Sequence, residues 1–261
     1  MIQQGERLTE VLNLGAGEHI ALVGGGGKTT LSLKLAQEMR AVEKRVIFTT
    51  TTKVWVKEGY GFPHLTLCSP RADLLTEVCR SLKTVGHFFL AREILDSGKL
   101  RGISPTEADL IYKRLKPDHM VVEADGAAGR PLKAPAGHEP VIPSSTTVVI
   151  AVMGLEPLAR PLDQKSVFRF TEFERITGLR EGQRLSSTAL AKLFQAPEGL
   201  YKGAPESATR IVFMNKSDLC NHPAEAEHLA SILVKGSTGR VDRVVMGSLH
   251  TGIYTAIPPS H

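Results

Sequence analysis

His19-Ile-Ala-Leu-Val-Gly-Gly-Gly-Gly-Lys-Thr-Thr30 is the stretch on which the fold turns. The apolar run Ile20 to Val23 reads as a buried strand, and it breaks into four consecutive glycines, Gly24, Gly25, Gly26 and Gly27. Lys28, Thr29 and Thr30 then open a helix. Glycines can turn backbone N–H groups inward without a Cβ clash, and a helix N-terminus adds partial positive charge at the same place. All seven residues are therefore expected to hold the phosphates of a nucleotide. Lys28 would bring a full charge to the terminal phosphates, and the Thr29 hydroxyl would ligate Mg²⁺. The pattern is G-x-x-G-K-T-T, two residues tighter than G-x-x-x-x-G-K-[ST], which needs glycine where Leu22 stands. The competing possibility is a glycine-rich turn with a chance Lys-Thr; a flexible linker is disfavoured further by the apolar segments on both sides.

Outward from the loop, Leu31, Leu35, Ala36 and Met39 recur at helical spacing over residues 28–42. Arg45 to Lys53 reads as a second buried strand, which would complete a right-handed βαβ unit. Upstream, Arg7 to Leu14 suggests a short helix. Downstream come a short strand at Leu65 to Cys68, a helix from about Arg71 to Leu82 and an apolar stretch at Phe88 to Ala91. Ser104-Pro-Thr-Glu107 is a helix start, and that helix should stop near Lys116-Pro117. His119 to Asp125, Thr146 to Met153, Arg210 to Asn215 and Arg243 to Met246 read as further strands, with a helix at Pro223 to Val234. This alternation predicts an α/β, P-loop NTPase-like fold: a mostly parallel sheet with helices on both faces. The expected organisation is a single domain over residues 1–261 with a helical insertion at about 154–206, its helices near Glu172 to Thr177 and Thr188 to Phe194. The tail, Ile257 to His261, is expected to be loose.

Composition narrows the function classes. At 261 residues, 42% hydrophobic and 23% charged, the chain can bury a large core and does not read as disordered. Net charge is +5, from 32 basic and 27 acidic residues, which suits an anionic ligand such as a nucleotide. No long basic run or basic-aromatic array marks a nucleic-acid partner. Cys68, Cys79 and Cys220 are too few and scattered for a disulfide framework or a zinc site. Residues 1–14 carry Glu6 and Glu10 and no apolar core of a signal peptide, and the longest apolar run, Val148 to Leu155, is too short to span a bilayer. A cytoplasmic protein with no membrane partner is expected.

Three predicted strands end in chemistry, and in open parallel sheets ligands bind at those ends. The first is the glycine loop. In the second, Glu123-Ala-Asp125-Gly, Asp125 would hold Mg²⁺ opposite Thr29, and Glu123 would join that shell or orient an attacking water. A plain strand-to-turn boundary is the alternative. The third is Asn215-Lys216-Ser217-Asp218, of the form N-K-x-D. A carboxylate at Asp218 can accept from guanine N1–H and N2 together, Asn215 would reach the outer edge of the base, and the Lys216 stem would pack across the ring. Asp218 could equally cap a following helix, and GTP and ATP both stay open. Thr49 to Thr52 and Lys53 would suit a γ-phosphate, a metal-bound water or an oxyanionic substrate, with Thr52 and Lys53 as contacts; β-branched strand filling explains them as well. Arg130 and Lys133 add cations beside the acidic strand end, and His138 and Glu139 follow, with no role assigned to Arg130, Lys133 or His138.

Val23 to Thr30, Phe48 to Val54, Val122 to Gly126, Pro131 to Pro135, His138 to Pro143 and Gly199 to Pro205 together resemble the YqeC family, selenium-dependent hydroxylase accessory proteins. The likeness runs in order over nearly the whole chain and departs at Gly137, where an acidic residue before the histidine is expected. The resemblance implies a nucleotide-binding protein tied to maturation of molybdenum hydroxylases that need a labile selenium atom. A molybdenum hydroxylase, or its other maturation factors, would be the partner. Three classes of function follow. The leading one is a Mg²⁺-dependent GTPase or ATPase in which Lys28, Glu123 and Asp125 do the chemistry. The second is a small-molecule phosphotransferase or nucleotide-dependent synthetase acting on a selenium or molybdopterin intermediate, because the loop spacing also resembles Mur ligases. The third is an adaptor with a degenerate pocket.

Overall fold

The computed structural model describes residues 7–42, 44–69, 72–235 and 241–258. One large sheet has nine strands: β1 Glu18–Gly24, β2 Val46–Thr50, β3 Leu65–Leu67, β4 His87–Ala91, β5 His119–Glu123, β6 Val148–Gly154, β7 Thr209–Asn215, β8 Arg243–Ser248 and β9 Ile253–Ile257. Their order is β9-β8-β7-β6-β1-β5-β2-β4-β3. Every neighbouring pair is parallel except the edge hairpin β8–β9. The helices are α1 Leu8–Val11, α2 Lys28–Ala41, α3 Val56–Tyr60, α4 Leu74–Thr84, α5 Pro105–Leu115, α6 Phe170–Thr177, α7 Ser187–Gln195 and α8 Pro223–Lys235. This is an α/β fold of the P-loop NTPase kind. Among the described residues no helix is long and apolar enough to cross a membrane.

Strands buried on both faces explain the near-continuous apolar runs. Ile20 and Leu22 of β1 pack with Leu31, Leu35 and Met39 of α2 and Leu8 of α1. Ala21 and Val23 face the other way, towards Phe173, Leu190, Phe194 and Leu229 of α6, α7 and α8. On that second face α4 and α5 cover β2, β4 and β5 through Val78, Ile111, Ile47, Phe88 and Met120. The residues between β6 and β7 thus bury their apolar side chains directly on the sheet.

Several details differ from the sequence reading. Strands β1 and β2 are not neighbours: β5 lies between them and pairs with both. That slot carries the acidic strand end to the glycine loop. Strand β2 stops at Thr50, because the chain bends at 51–52 and Lys53–Trp55 joins a separate antiparallel ribbon with Glu93–Ile94 and Lys99–Arg101. Helix α4 begins at Leu74, where Asp73 accepts the Thr76 N–H at 3.0 Å; the expected start at Arg71 lies outside the described residues. Strand β9 and the pairing of Leu132–Lys133 with Val167–Phe168 had no sequence expectation. Ile257 belongs to β9, whereas residues 259–261 of the expected tail, like residues 1–6, lie outside the described residues. The Ser104 start behaved as a full capping box: its Oγ accepts from Glu107 N and its N–H donates to the Glu107 carboxylate.

Candidate functional site

The glycine loop is pressed against two neighbouring segments. A Cβ on Gly24 would lie 2.3 Å from Val152 O, and one on Gly26 would lie 2.3 Å from Gly154 N. Both have positive φ, 93° and 75°, so only glycine satisfies the backbone and the close approach together. The N–H groups of Gly24, Gly25 and Gly26 are taken within the protein, donating to Asp125 Oδ2 (3.0 Å), Val152 O (2.9 Å) and Arg130 O (2.9 Å). Those of Gly27, Lys28, Thr29 and Thr30 have no partner among the described residues. The open donor set is therefore the first turn of α2, not the run of glycines that precedes it.

Lys28 is 4% exposed and its ammonium is caged: Gly24 O lies at 2.6 Å, Asp125 Oδ1 at 3.0 Å and Glu123 Oε1 at 3.7 Å. Burial alone would lower the Lys28 pKa, but Asp125 and Glu123 outweigh it and raise it above the ordinary lysine value. Burial pushes Glu123 the opposite way for a carboxyl, up to about 7, with Lys28 opposing the rise and Glu58 and Asp125 adding to it. The Thr29 hydroxyl reaches Glu123 Oε2 at 3.2 Å and Glu58 Oε2 at 3.4 Å. The expected opposition of Thr29 and Asp125 is thus replaced by Thr29 between Glu123 and Glu58. Asp125 is fully buried behind them, because it must satisfy Gly24 N and two ammoniums. Glu58 gave no sequence signal: it sits on a short helix with no motif around it.

The second ammonium is Lys133, whose side chain is wholly buried. It contacts Asp125 Oδ2 and Glu139 Oε2, both at 3.1 Å, and donates to Gly126 O at 2.6 Å. Glu139 in turn lies 3.4 Å from Arg169 Nε. Burial would raise the Glu139 pKa, but Lys133, the Ala136 N–H and Arg169 hold it below the usual value. Charges of alternating sign therefore run unbroken from the glycine loop to the head of α6. Lys202 fastens the same corner from below, donating to Ala136 O at 2.6 Å and Gly137 O at 3.1 Å. Lys133 is consequently a buried partner rather than a loose cation, while Arg130 lines the cleft and His138 is exposed. The spacing of Lys133, Glu139 and Lys202 in the sequence shows none of this, since the pairing is set by the fold.

From the glycine loop a cleft of about 1200 Å³ runs to Asn215, Lys216 and Asp218 on one side and to Lys53, Trp55 and Lys99 on the other. Asn215 is 3% exposed and spends both ends of its amide on scaffolding: Nδ2 donates to Gly26 O at 2.7 Å and Oδ1 accepts Leu249 N at 3.0 Å. It ties the glycine loop to the β8–β9 turn, so neither end of its amide is left for the expected reach to a base edge. Lys216 pairs with Glu156, and Asp218 is exposed with no partner among the described residues. Thr49 and Thr50 are buried, donating to Leu90 O and Glu123 O, each at 2.8 Å. Thr52 lines a separate cavity of about 520 Å³, and Lys53 lines both cavities.

A parallel sheet whose first strand feeds a glycine loop and a Lys-Thr helix start, with an acid-ended strand beside it, defines a protein of P-loop NTPase-like fold. More narrowly, the family model described as YqeC protein matches residues 20–171, and the chain belongs to that family. It is 34% identical over 233 residues to a protein of Escherichia coli (strain K12) described as "Uncharacterized protein YqeC", an alignment covering 84% of this chain and 85% of that one.

Proposed function

We propose that this protein binds Mg²⁺ and a nucleoside triphosphate, GTP in preference to ATP, in the cleft and hydrolyses it as a maturation factor. The observation that carries the reading is the free first turn of α2. Four unpartnered N–H groups face an end of the cleft where Lys28 and the Thr29 hydroxyl already stand. Mg²⁺ fits the donor set, which is all hard oxygen: the Thr29 hydroxyl and Glu58, with the Glu123 carboxylate beside them for a water. Among the described residues no group of three or more His, Cys, Asp or Glu side chains could hold a metal alone, so phosphate oxygens would complete the shell. When bound, the ion supplies charge neutralisation at the terminal phosphates.

The protein's own groups have distinct tasks. Lys28 and the N–H groups of residues 27–30 stabilise phosphoryl charge. Glu123, with a pKa of about 7, orients the attacking water and accepts its proton. Asp125 works through Lys28 by holding its ammonium beside the loop. Asp218 faces the base end unpaired, free to accept from guanine N1–H and N2, whereas adenine presents an acceptor at N1 and a C–H at C2. The family resemblance supports the client: a selenium-dependent molybdenum hydroxylase, or its other maturation factors, in the cytoplasm. Single-turnover hydrolysis of Mg²⁺-GTP tests the proposal. Wild-type protein should release phosphate, and Glu123→Gln should bind GTP while slowing release at least tenfold, the usual worth of general-base help being about 10²–10⁴. Equal rates in the two proteins would remove Glu123 from the chemistry.

A further inference from the structure

In the antiparallel ribbon at the mouth of the cleft, Val54 and Leu100 face inward, 6% and 0% exposed. Period-two alternation then puts Lys53, Trp55, Lys99 and Arg101 on the outer face. The register sets Trp55 opposite Lys99 and Lys53 opposite Arg101. The Lys99 ammonium lies 4.9 Å from the centroid of the half-exposed Trp55 ring. Arg101 is balanced on its other side by Glu93 at 2.9 Å, so Lys53 faces a like charge and has no carboxylate of its own. Like charges directly opposite on a ladder are destabilising.

Lys34 of α2 and Lys57 of α3 line the same wall. Among the described residues none of Lys34, Lys53, Lys57 or Lys99 has an ion-pair partner. The charge on these ammoniums is balanced by no carboxylate among the described residues, and it suits an anion. Lys53 also opens onto the cavity of about 520 Å³, beside Thr52, Arg101 and Ser104. We propose that this wall is a second ligand site for a small molecule with a flat ring and an oxyanion, the ring against Trp55 and the oxyanion between Lys53 and Arg101. The site rests on the nucleotide reading only in lying beside the terminal phosphate. The cation–aromatic pairing and the cationic pair fit such a ligand whichever oxyanion it carries.

Trp55 is the single tryptophan in the chain, so its emission reports on this face alone. The full chain, with and without saturating GDP, would be titrated with phenyl phosphate and with inorganic phosphate. Phenyl phosphate should give a saturable change in Trp55 emission that persists with GDP present. The affinity should fall roughly tenfold in Lys53→Ala, the loss of one charge-assisted contact, and stay unchanged in Lys165→Ala, at a lysine that lines neither cavity. Inorganic phosphate, lacking the ring, should bind several-fold more weakly. No saturable change, an unchanged affinity in Lys53→Ala, or loss of the response on adding GDP would each overturn the site. A lost phenyl phosphate response with GDP binding intact sinks this site alone; a kept response with no GDP binding sinks the nucleotide reading alone.

Discussion

Two sets of lysines stand around one cleft, and they are treated in opposite ways. Lys28 and Lys133 are buried, and each touches two carboxylates. Lys34, Lys53, Lys57 and Lys99 line the wall without a carboxylate partner among the described residues. A buried charge must be paired or the fold is lost, whereas a solvated one costs little to leave waiting. The first set therefore fixes the shape of the glycine loop, Lys28 also lining the phosphate end of the cleft, and the second stands open to ligands without a structural task. Substitutions in the two sets should separate stability from affinity.

The largest effect is expected at Lys133. Lys133→Met strands Asp125 and Glu139 without their shared cation, and removing one partner of a buried pair costs about 3–5 kcal/mol. Urea denaturation should show the loss, while Lys57→Met should stay within about 0.5 kcal/mol of wild type. Similar stability in the two variants would erase the distinction.

A third kind of buried group, far from the cleft ligands, sharpens it. His19 is fully buried, with Nδ1 3.0 Å from Ser145 Oγ and its ring stacked on Tyr112, and burial lowers its pKa from 6.5 to about 4. Above pH 6.5 the ring is neutral in both states, and the stability it contributes is fully present. Between pH 6.5 and about 4 the unfolded chain takes up a proton that the folded one refuses, so stability falls. The total is about 3 kcal/mol, and His19→Gln should remove that part of the slope when denaturation is followed from pH 7 to pH 4. An identical slope in the variant would show that other groups carry it.

At the exposed end of the comparison, Asp218→Asn should leave stability untouched and weaken GTP by roughly 1.5–3 kcal/mol, about 10- to 150-fold. Because an amide can donate where the carboxylate could only accept, xanthosine triphosphate should gain what GTP loses. Competition between the two nucleotides reads this directly; no change in preference would take Asp218 out of base recognition.

How much of this could be read beforehand depended on whether the interactions were local. The strand, glycines and Lys-Thr helix start are contiguous, so their geometry follows from backbone rules at neighbouring residues. The Ser104–Glu107 box was equally plain for the same reason. The slot that puts β5 between β1 and β2 is not encoded in either strand, and the role of Asp125 followed from it. Residues drawn as a nucleotide contact, such as Asn215, proved to hold the glycine loop and the β8–β9 turn together, because Leu249 N reaches it across the fold. Glu58 and the Lys133–Glu139 pair needed contacts between distant segments. Thr49 and Thr50 looked reactive in sequence and turned inward, where β-branched residues pack well.

Calorimetric titration of Mg²⁺-GTP into the full chain and into Lys28→Ala asks the central question directly. Saturable binding by the wild type, lost in the variant although its unfolding midpoint is still measurable, is the expected result. Equal heats in both proteins, or none in either, would mean that the first turn of α2 does not hold a triphosphate.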